Sequence, residues 1–350
     1  MMRIVTAAPT TKAFTRKSEG DVIELNDGRL LLAYMEFSGD GSDIAPTRIV
    51  AQESGDGGQT WHGHRVITDT APGDVNVYSP NLIRATDGGI LLVFMRQKSA
   101  VPLCITEHVW KSTDEGRTFL PFAEFAAGMD YSLCNAVIKR LASGRLLLPV
   151  SPVDKPGDTP YNHIVCGAVL FSDDDGRTWN EAANRLFLPM RGVMEPHVEE
   201  TRDGRVLMVM RNQLGSLFLS ESADDGMSWS TPQTSALQTP ESCPALTRIP
   251  NTGDLLMIWN NSSYDPACSH FGIRTPLTAS VSRDEGRTWG PPRDIETDPA
   301  RAFSNPGCRF TKAGMAVVNY WTCEYLPNHC MQDVIDLRVA LIETDWFYGR

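Results

Sequence analysis

The sequence predicts an all-β fold: a six-bladed β-propeller with four-stranded antiparallel blades. Three observations carry this expectation. First, a unit of the form Ser-x-Asp-x-Gly-x-Thr-Trp occurs five times, as "SGDGGQTW" from Ser54, "STDEGRTF" from Ser112, "SDDDGRTW" from Ser172, "SADDGMSW" from Ser222 and "SRDEGRTW" from Ser282. Second, six apolar hairpins alternate with these boxes on the same period: "VIELNDGRLLLAY", "LIRATDGGILLVF", "VIKRLASGRLLLPV", "VEETRDGRVLMVM", "LTRIPNTGDLLMIW" and "RFTKAGMAVVNYW". Third, no helical period competes along the chain, and a repeat of this length made of short strands indicates propeller blades rather than a helical solenoid.

Each hairpin turns at a glycine: Gly28, Gly88, Gly144, Gly204, Gly253 and Gly314. Glycine at such a tight turn accepts the positive φ that the hairpin demands. The flanking strands, dense in Leu, Val and Ile, read as buried on both faces. The boxes follow about 25 residues later, which puts them at the turn between the third and fourth strands, on the same face as the hairpin turns. There the Ser and Asp side chains satisfy turn amides while the aromatic residue packs between strands. A catalytic group is needed once and this unit occurs five times, so the boxes read as scaffold rather than as a catalytic or calcium site. The final strand, "LRVALIETDWF", is expected to pair with the N-terminal "MRIVTAA" and close the ring, which removes exposed sheet edges. Residues 1–350 read as one domain.

Composition narrows the function. A chain of 350 residues with 41% hydrophobic residues buries a large core. Its net charge of −11 argues against nucleic-acid binding, which relies on basic patches. No apolar run is long enough to span a bilayer, and "MMRIVTAAPT" has no signal-peptide core, so no membrane partner and a cytoplasmic location are expected. Eight cysteines lack any Cys-x-x-Cys pair and read as free thiols. No metal and no cofactor are expected.

The chemistry should lie on the face opposite the boxes, where first strands start and second strands end. Counting back nine residues from each turn glycine reaches Glu19, Ser79, Asn135, Glu195, Pro244 and Asn305, with Cys243 replacing Pro244 because the fifth hairpin is one residue longer. Two glutamates facing an axis from opposite blades are costly to bury without partners, so Glu19 and Glu195 are functional candidates. The ends of the second strands add Glu36, Arg96 and Arg211, "FTRKSEGD" adds Arg16, Lys17 and Asp21, and "SHFGIRTPLTASVS" adds Arg274. Converging arginine forks suit a carboxylate-bearing sugar.

The five boxes resemble the Asp-boxes of the sialidase (neuraminidase) superfamily, and the resemblance covers essentially the whole chain. It implies a six-bladed propeller and a carbohydrate substrate, anionic in character. It also implies three arginines on the substrate carboxylate, a Tyr nucleophile activated by Glu, and an Asp acid/base in the first blade. "MEPHVEETRDGRVLMVMR" is similar to the segment bearing that Glu, placing it at Glu195. "SGDGSDIAPTRIVAQESGDGG" places the acid/base at Asp43, with Asp40 second, and "IRTPLTASVSRDEGRTW" places one arginine at Arg274. The chain departs from the pattern elsewhere. Arg16 stands about two residues out of register with the family's first arginine, and Ser216 falls near the second, leaving Arg211 to substitute. Phe303, in "ARAFSNPG", falls at the nucleophile position and has no hydroxyl.

The expected activity is therefore release of a terminal acidic sugar, as by an exo-α-sialidase, with Tyr78, Tyr131 or another group as nucleophile. An inverting route would instead use two of Glu19, Asp21, Glu195 and Asp43, one protonating the leaving oxygen and one activating water. His197 is a candidate base or hydrogen-bond donor. Asn135 and Phe303 complete the expected substrate contacts. A polysaccharide lyase using His197 with Tyr78 or Tyr131, and a non-catalytic glycan-binding propeller, are the alternatives.

Overall fold

The computed structural model describes residues 1–100, 103–157, 162–326, 331 and 334–350, and for residues 126–129 the backbone alone. After β1 (Met2–Ala8), blade 1 runs through β2 (Arg16–Glu24), β3 (Leu30–Phe37), β4 (Thr47–Ser54) and β5 (His62–Asp69). Blade 2 is β6 (Asn76–Arg84), β7 (Ile90–Ala100), β8 (Leu103–Ser112) and β9 (Leu120–Met129). Blade 3 is more broken: β10 (Tyr131–Ser132) and β11 (Lys139–Arg140) share its innermost position against β12 (Leu146–Lys155). It continues with β13 (Ile164–Val165), β14 (Ala168–Ser172) and β15 (Asn180–Glu181). Blade 4 is β16 (Met194–Glu200), β17 (Val206–Arg211), β18 (Ser216–Ser222) and β19 (Gln233–Gln238). Blade 5 is β20 (Ala245–Arg248), β21 (Leu255–Asn260), β22 (Leu277–Ser282) and β23 (Arg293–Glu296). Blade 6 is β24 (Arg301–Phe310), β25 (Met315–Glu324) and β26 (Asp336–Glu343), completed by β1 antiparallel to β26. The ring closes as expected, with the outermost strand of the last blade supplied by the N-terminus.

The core lies in the seams between blades. One cluster, with Leu91, Val93, Leu146 and Leu148, fills the seam of blades 2 and 3, and another, with Ile258, Phe303, Val318 and Tyr320, fills that of blades 5 and 6. The middle strands of each sheet are thus covered on both faces, which is why they read as nearly continuous apolar runs.

The five boxes form one repeated hydrogen-bond pattern. In the second, Ser112 Oγ accepts the Gly116 amide at 2.8 Å and donates to Asp114, whose carboxylate accepts the Thr118 amide and hydroxyl at 2.9 and 2.7 Å. The fifth repeats this with Ser282, Asp284, Gly286 and Thr288. The Ser and Asp side chains of the box thus find their partners within the turn itself.

At the other end of the blades, the innermost strands carry bulges. Pairing of β2 with β3 slips between Ser18 and Asp21, of β6 with β7 between Tyr78 and Asn81, of β16 with β17 between Met194 and His197, and of β24 with β25 between Ser304 and Gly307. The extra residues, Glu19, Ser79, Glu195 and Asn305, take φ of 41, 57, 42 and 50°. They are the residues reached by counting back from the turn glycines. A left-handed backbone is costly for a residue with a side chain, and its repetition in four blades marks a built feature. In blade 3 the left-handed residue is Ala136 rather than Asn135.

Candidate active site

The bulges face a cleft of about 490 Å³ on the axis, and Glu19, Glu195 and Asn305 all line it. The bulge turns the strand so that one side chain leaves the sheet along the axis instead of packing into a seam. Glutamates from blades 1 and 4 are thereby brought into one chamber.

On the blade 1 side, Arg16 donates to Asp43 at 2.6 Å and to Glu19 at 3.1 Å, and its guanidinium lies 4.1 Å from the Phe37 ring centroid. Ser18 donates a short hydrogen bond to the other oxygen of Glu19. Tyr78 donates to Asp43 at 3.1 Å. Burial lifts the Glu19 pKa above the usual carboxylate value, outweighing the opposing pull of Arg16 and Ser18. At Asp43, whose side chain is half exposed, the balance goes the other way: desolvation is outweighed by the charge and hydrogen bond of Arg16, so its pKa is held low. Burial and the Asp43 charge push the Tyr78 phenol well above its ordinary value.

Across the cleft, Arg211 bonds Glu195 at 2.5 Å and Glu241 at 2.9 Å. Glu241 also binds Arg191 at 3.1 Å and Gln213 at 2.8 Å, and its backbone carbonyl takes Arg274 at 3.0 Å. Burial alone would raise the Glu195 pKa, but Arg211, the Cys243 thiol that donates to it, and Arg274 bring it below the usual value. The Nε atoms of Arg211 and Arg274 are buried without a partner. Three guanidiniums, of Arg191, Arg211 and Arg274, thus face two carboxylates, Glu195 and Glu241, an excess of one positive charge that suits an anionic ligand.

Glu19, Asp43, Glu195, Arg16, Tyr78, Arg211 and Arg274 therefore share the cleft, as the sequence led us to expect. The other expected contacts lie elsewhere. Asp21 is fully buried, receives both Nε and Nη2 of Arg309 at 2.9 and 2.7 Å, and accepts the Leu82 amide, tying blades 1, 2 and 6 together. Lys17 and Glu36 pair at 2.7 Å, both buried, in a blade 1 row that runs out through half-buried Arg48 to exposed His64. Arg16 and Lys17 are neighbours on one strand, so alternation sends only the first to the cleft. Arg96 is bound by Thr68 at 2.7 Å and Asp74 at 3.3 Å, clamping the seam of blades 1 and 2. Tyr131 packs in the seam core and donates to Glu181. Asn135 is fully buried and donates to the Gly20 carbonyl at 2.8 Å. His197 lies below the cleft, lining a separate small cavity with Lys139 and Arg309, and burial lowers its pKa to about 3. Phe303 is fully buried against Tyr320, 6.1 Å between centroids, so the ring faces the seam and not the cleft.

The sequence missed Arg191, Glu241, His163, His270 and Trp321, all of them in or bonded to the cleft wall. Arg191 and His270 come from connections of irregular length, where no repeat register applies. Glu241 had a signal: it stands two residues before Cys243, the blade 5 counterpart of Glu195.

A profile of the BNR repeat-like domain matches residues 28–318, most of the chain. The chain belongs to that family. No curated protein matches it. Among solved structures, this BNR-repeat protein is similar to a Dyadobacter fermentans protein of unknown function, with 18% identity and TM-score 0.74 over 98% of this chain and 99% of the other. It is also similar to a Hadza microbial sialidase, with 15% identity, TM-score 0.75, and coverage of 95% and 67%. For the Trypanosoma rangeli sialidase the values are 13%, 0.70, 97% and 59%, so the chain spans little more than half of that enzyme. At these identities the likeness is one of fold, the six-bladed propeller of the sialidases. Among the described residues no helix is long and apolar enough to cross a membrane.

Proposed function

We propose that this BNR-repeat protein is a glycoside hydrolase of the sialidase superfamily that releases a terminal sugar carrying a carboxylate. One observation carries the reading. Glu19 and Glu195 occupy matching bulges of blades 1 and 4, open into one cleft, and have surroundings that drive their proton affinities apart. Two carboxyls separated in this way divide the work of acid and base.

Glu19, which keeps its proton more readily, donates it to the leaving glycosidic oxygen. Glu195, held ionised by Arg211, takes a proton from the attacking water. Arg211 and Arg274, with Arg191 behind them, hold the sugar carboxylate. Asp43, held ionised by Arg16, is a poor proton donor, and Tyr78, whose phenol is committed to Asp43, is a poor nucleophile. The chemistry this arrangement favours is direct displacement by water, with inversion at the anomeric carbon. Terminal sialosides are the first substrates to try, followed by uronides.

The experiment is a panel of aryl sialosides, aryl uronides and neutral aryl glycosides, run with Glu19→Gln and Glu195→Gln. The expected result is aglycone release from an acidic member, a loss of about 10²–10⁴-fold in either variant, and an inverted sugar by NMR. No release from any member would overturn the hydrolase reading. A new double bond in the product would replace it with a lyase, and retained configuration would show a covalent intermediate.

A further inference from the structure

Beneath the cleft floor, three neighbouring blades bring together a set of groups that are scattered in sequence. Cys134 follows β10 in blade 3, Glu195 sits on the β16 bulge of blade 4, and Cys243 stands two residues before β20 in blade 5. The two Sγ atoms and a Glu195 carboxylate oxygen all lie within 4.8 Å of one another. The cysteines are free thiols, 4% and 1% exposed. Cys243 donates to Glu195, and Arg211 Nη1 stands 3.6 Å from the Cys243 sulfur.

We propose that Cys134, Cys243 and Glu195 form a site for one thiophilic divalent cation of the zinc class, with a fourth coordination position open to the cleft. Two sulfurs and one carboxylate oxygen are a ligand set that such an ion accepts, and three protein ligands with one open position is a familiar arrangement for it. Tetrahedral ligands at normal zinc distances stand about 3.5–3.8 Å apart, so an ion entering would part the hydrogen-bonded Cys243 and Glu195 and would need shifts of only about 1 Å. The charge also balances. The empty site has one ionised carboxylate and two neutral thiols. Binding forms two metal–sulfur bonds, releases two thiol protons to water, and adds a dication, so the net charge facing Arg211 is unchanged. Glu195 reaches the cleft directly, with its side chain 23% exposed, and gives the ion a way in. Because the ligands come from three neighbouring blades, the site exists only once those blades have packed together.

A consequence rests on the hydrolase reading: an ion that takes the Glu195 carboxylate removes the base, so zinc inhibits turnover. Binding itself does not depend on that reading, and the test separates the two.

The full chain, stripped with chelator and kept reduced, is titrated with cobalt(II) alone, followed by thiolate-to-metal charge-transfer absorbance, and with zinc by calorimetry. The expected result is one ion per chain, with affinity falling at least about 100-fold in Cys134→Ser and in Cys243→Ser, and about 10-fold in Glu195→Gln. Cys104→Ser and Cys308→Ser bind as the parent does. X-ray absorption on the zinc-loaded parent needs no variant and should show two sulfurs at about 2.3 Å. Absence of the charge-transfer band, its survival in both Cys134→Ser and Cys243→Ser, or a sulfur count other than two would overturn the site. Zinc binding with undiminished turnover would leave the site standing and sink the role of Glu195 as base.

Discussion

Glu19 and Glu195 are the same residue type in the same backbone conformation, and their neighbours alone distinguish them. Glu19 has one guanidinium, Arg16, which is shared with Asp43; Glu195 has Arg211 and Cys243 directly and Arg274 behind. Under the hydrolase reading this sets the pH profile. Turnover requires Glu19 protonated, so it falls as pH rises through the raised Glu19 pKa. It also requires Glu195 ionised, so it falls as pH drops through the depressed Glu195 pKa. A kcat/KM profile should show both limbs. Glu19→Ala should be least damaging on substrates with a good leaving group, because these need no proton. Phe303 gives a second test at this scale. It packs in the blade 5–6 seam with no exposure, so Phe303→Tyr should yield no gain in activity. A buried hydroxyl without a partner should instead cost about 1–3 kcal/mol, measured by denaturant unfolding. Arg274→Ala should raise KM for acidic sugars far more than for neutral ones.

Among the elements, one residue of register separates a cleft residue from a seam residue. Arg96 and Arg211 occupy similar places in "LLVFMRQK" and "VLMVMRNQ". Yet Tyr78, just before the blade 2 bulge, pairs with Met95, while Met194, just before the blade 4 bulge, pairs with Arg211. The true counterpart of Arg211 is Met95, and Arg96 turns to the opposite face. The offset is written in the chain: Met95 follows Gly88 by the same seven residues that separate Arg211 from Gly204, and Arg96 lies one further on. The boxes are likewise legible residue by residue. Asp114, half-buried, has its pKa held down to about 2: burial is the largest single influence and raises it, but the combined hydrogen bonds from Thr118 and Ser112 outweigh that. A depressed carboxylate stabilises the fold above its unfolded value of about 4 and stops doing so as pH falls towards 2. Melting temperature should therefore decline across that window, less steeply in Asp114→Asn, which should also lose ~1 kcal/mol at neutral pH. Gly58, in the first box, has φ +96° and its absent Cβ would stand 2.7 Å from Leu341 of blade 6, so Gly58→Ala should lower melting temperature by opening that contact.

For the whole molecule, closure is the controlling feature. β1 contributes the outer strand of blade 6 and its N-terminal amine reaches Glu343 at 2.7 Å. Deleting residues 1–9 should leave β26 as a bare edge, giving a lower melting temperature and concentration-dependent aggregation by light scattering. Unchanged melting behaviour would show that closure matters little.

The blade count, the turn positions, the boxes and the ring closure were determined by the sequence itself, because each depends on local chemistry that repeats: a glycine that accepts positive φ, a Ser and Asp that satisfy their own turn, an apolar run covered on both faces. The two glutamates could be found from that same repeat. Tertiary structure alone decided that Phe303 turns inward, that Glu241 gathers three arginines, and that Cys134 meets Cys243. The reason is geometric: these outcomes depend on bulge register and on irregular connections between blades, and both are set when six sheets pack around one axis.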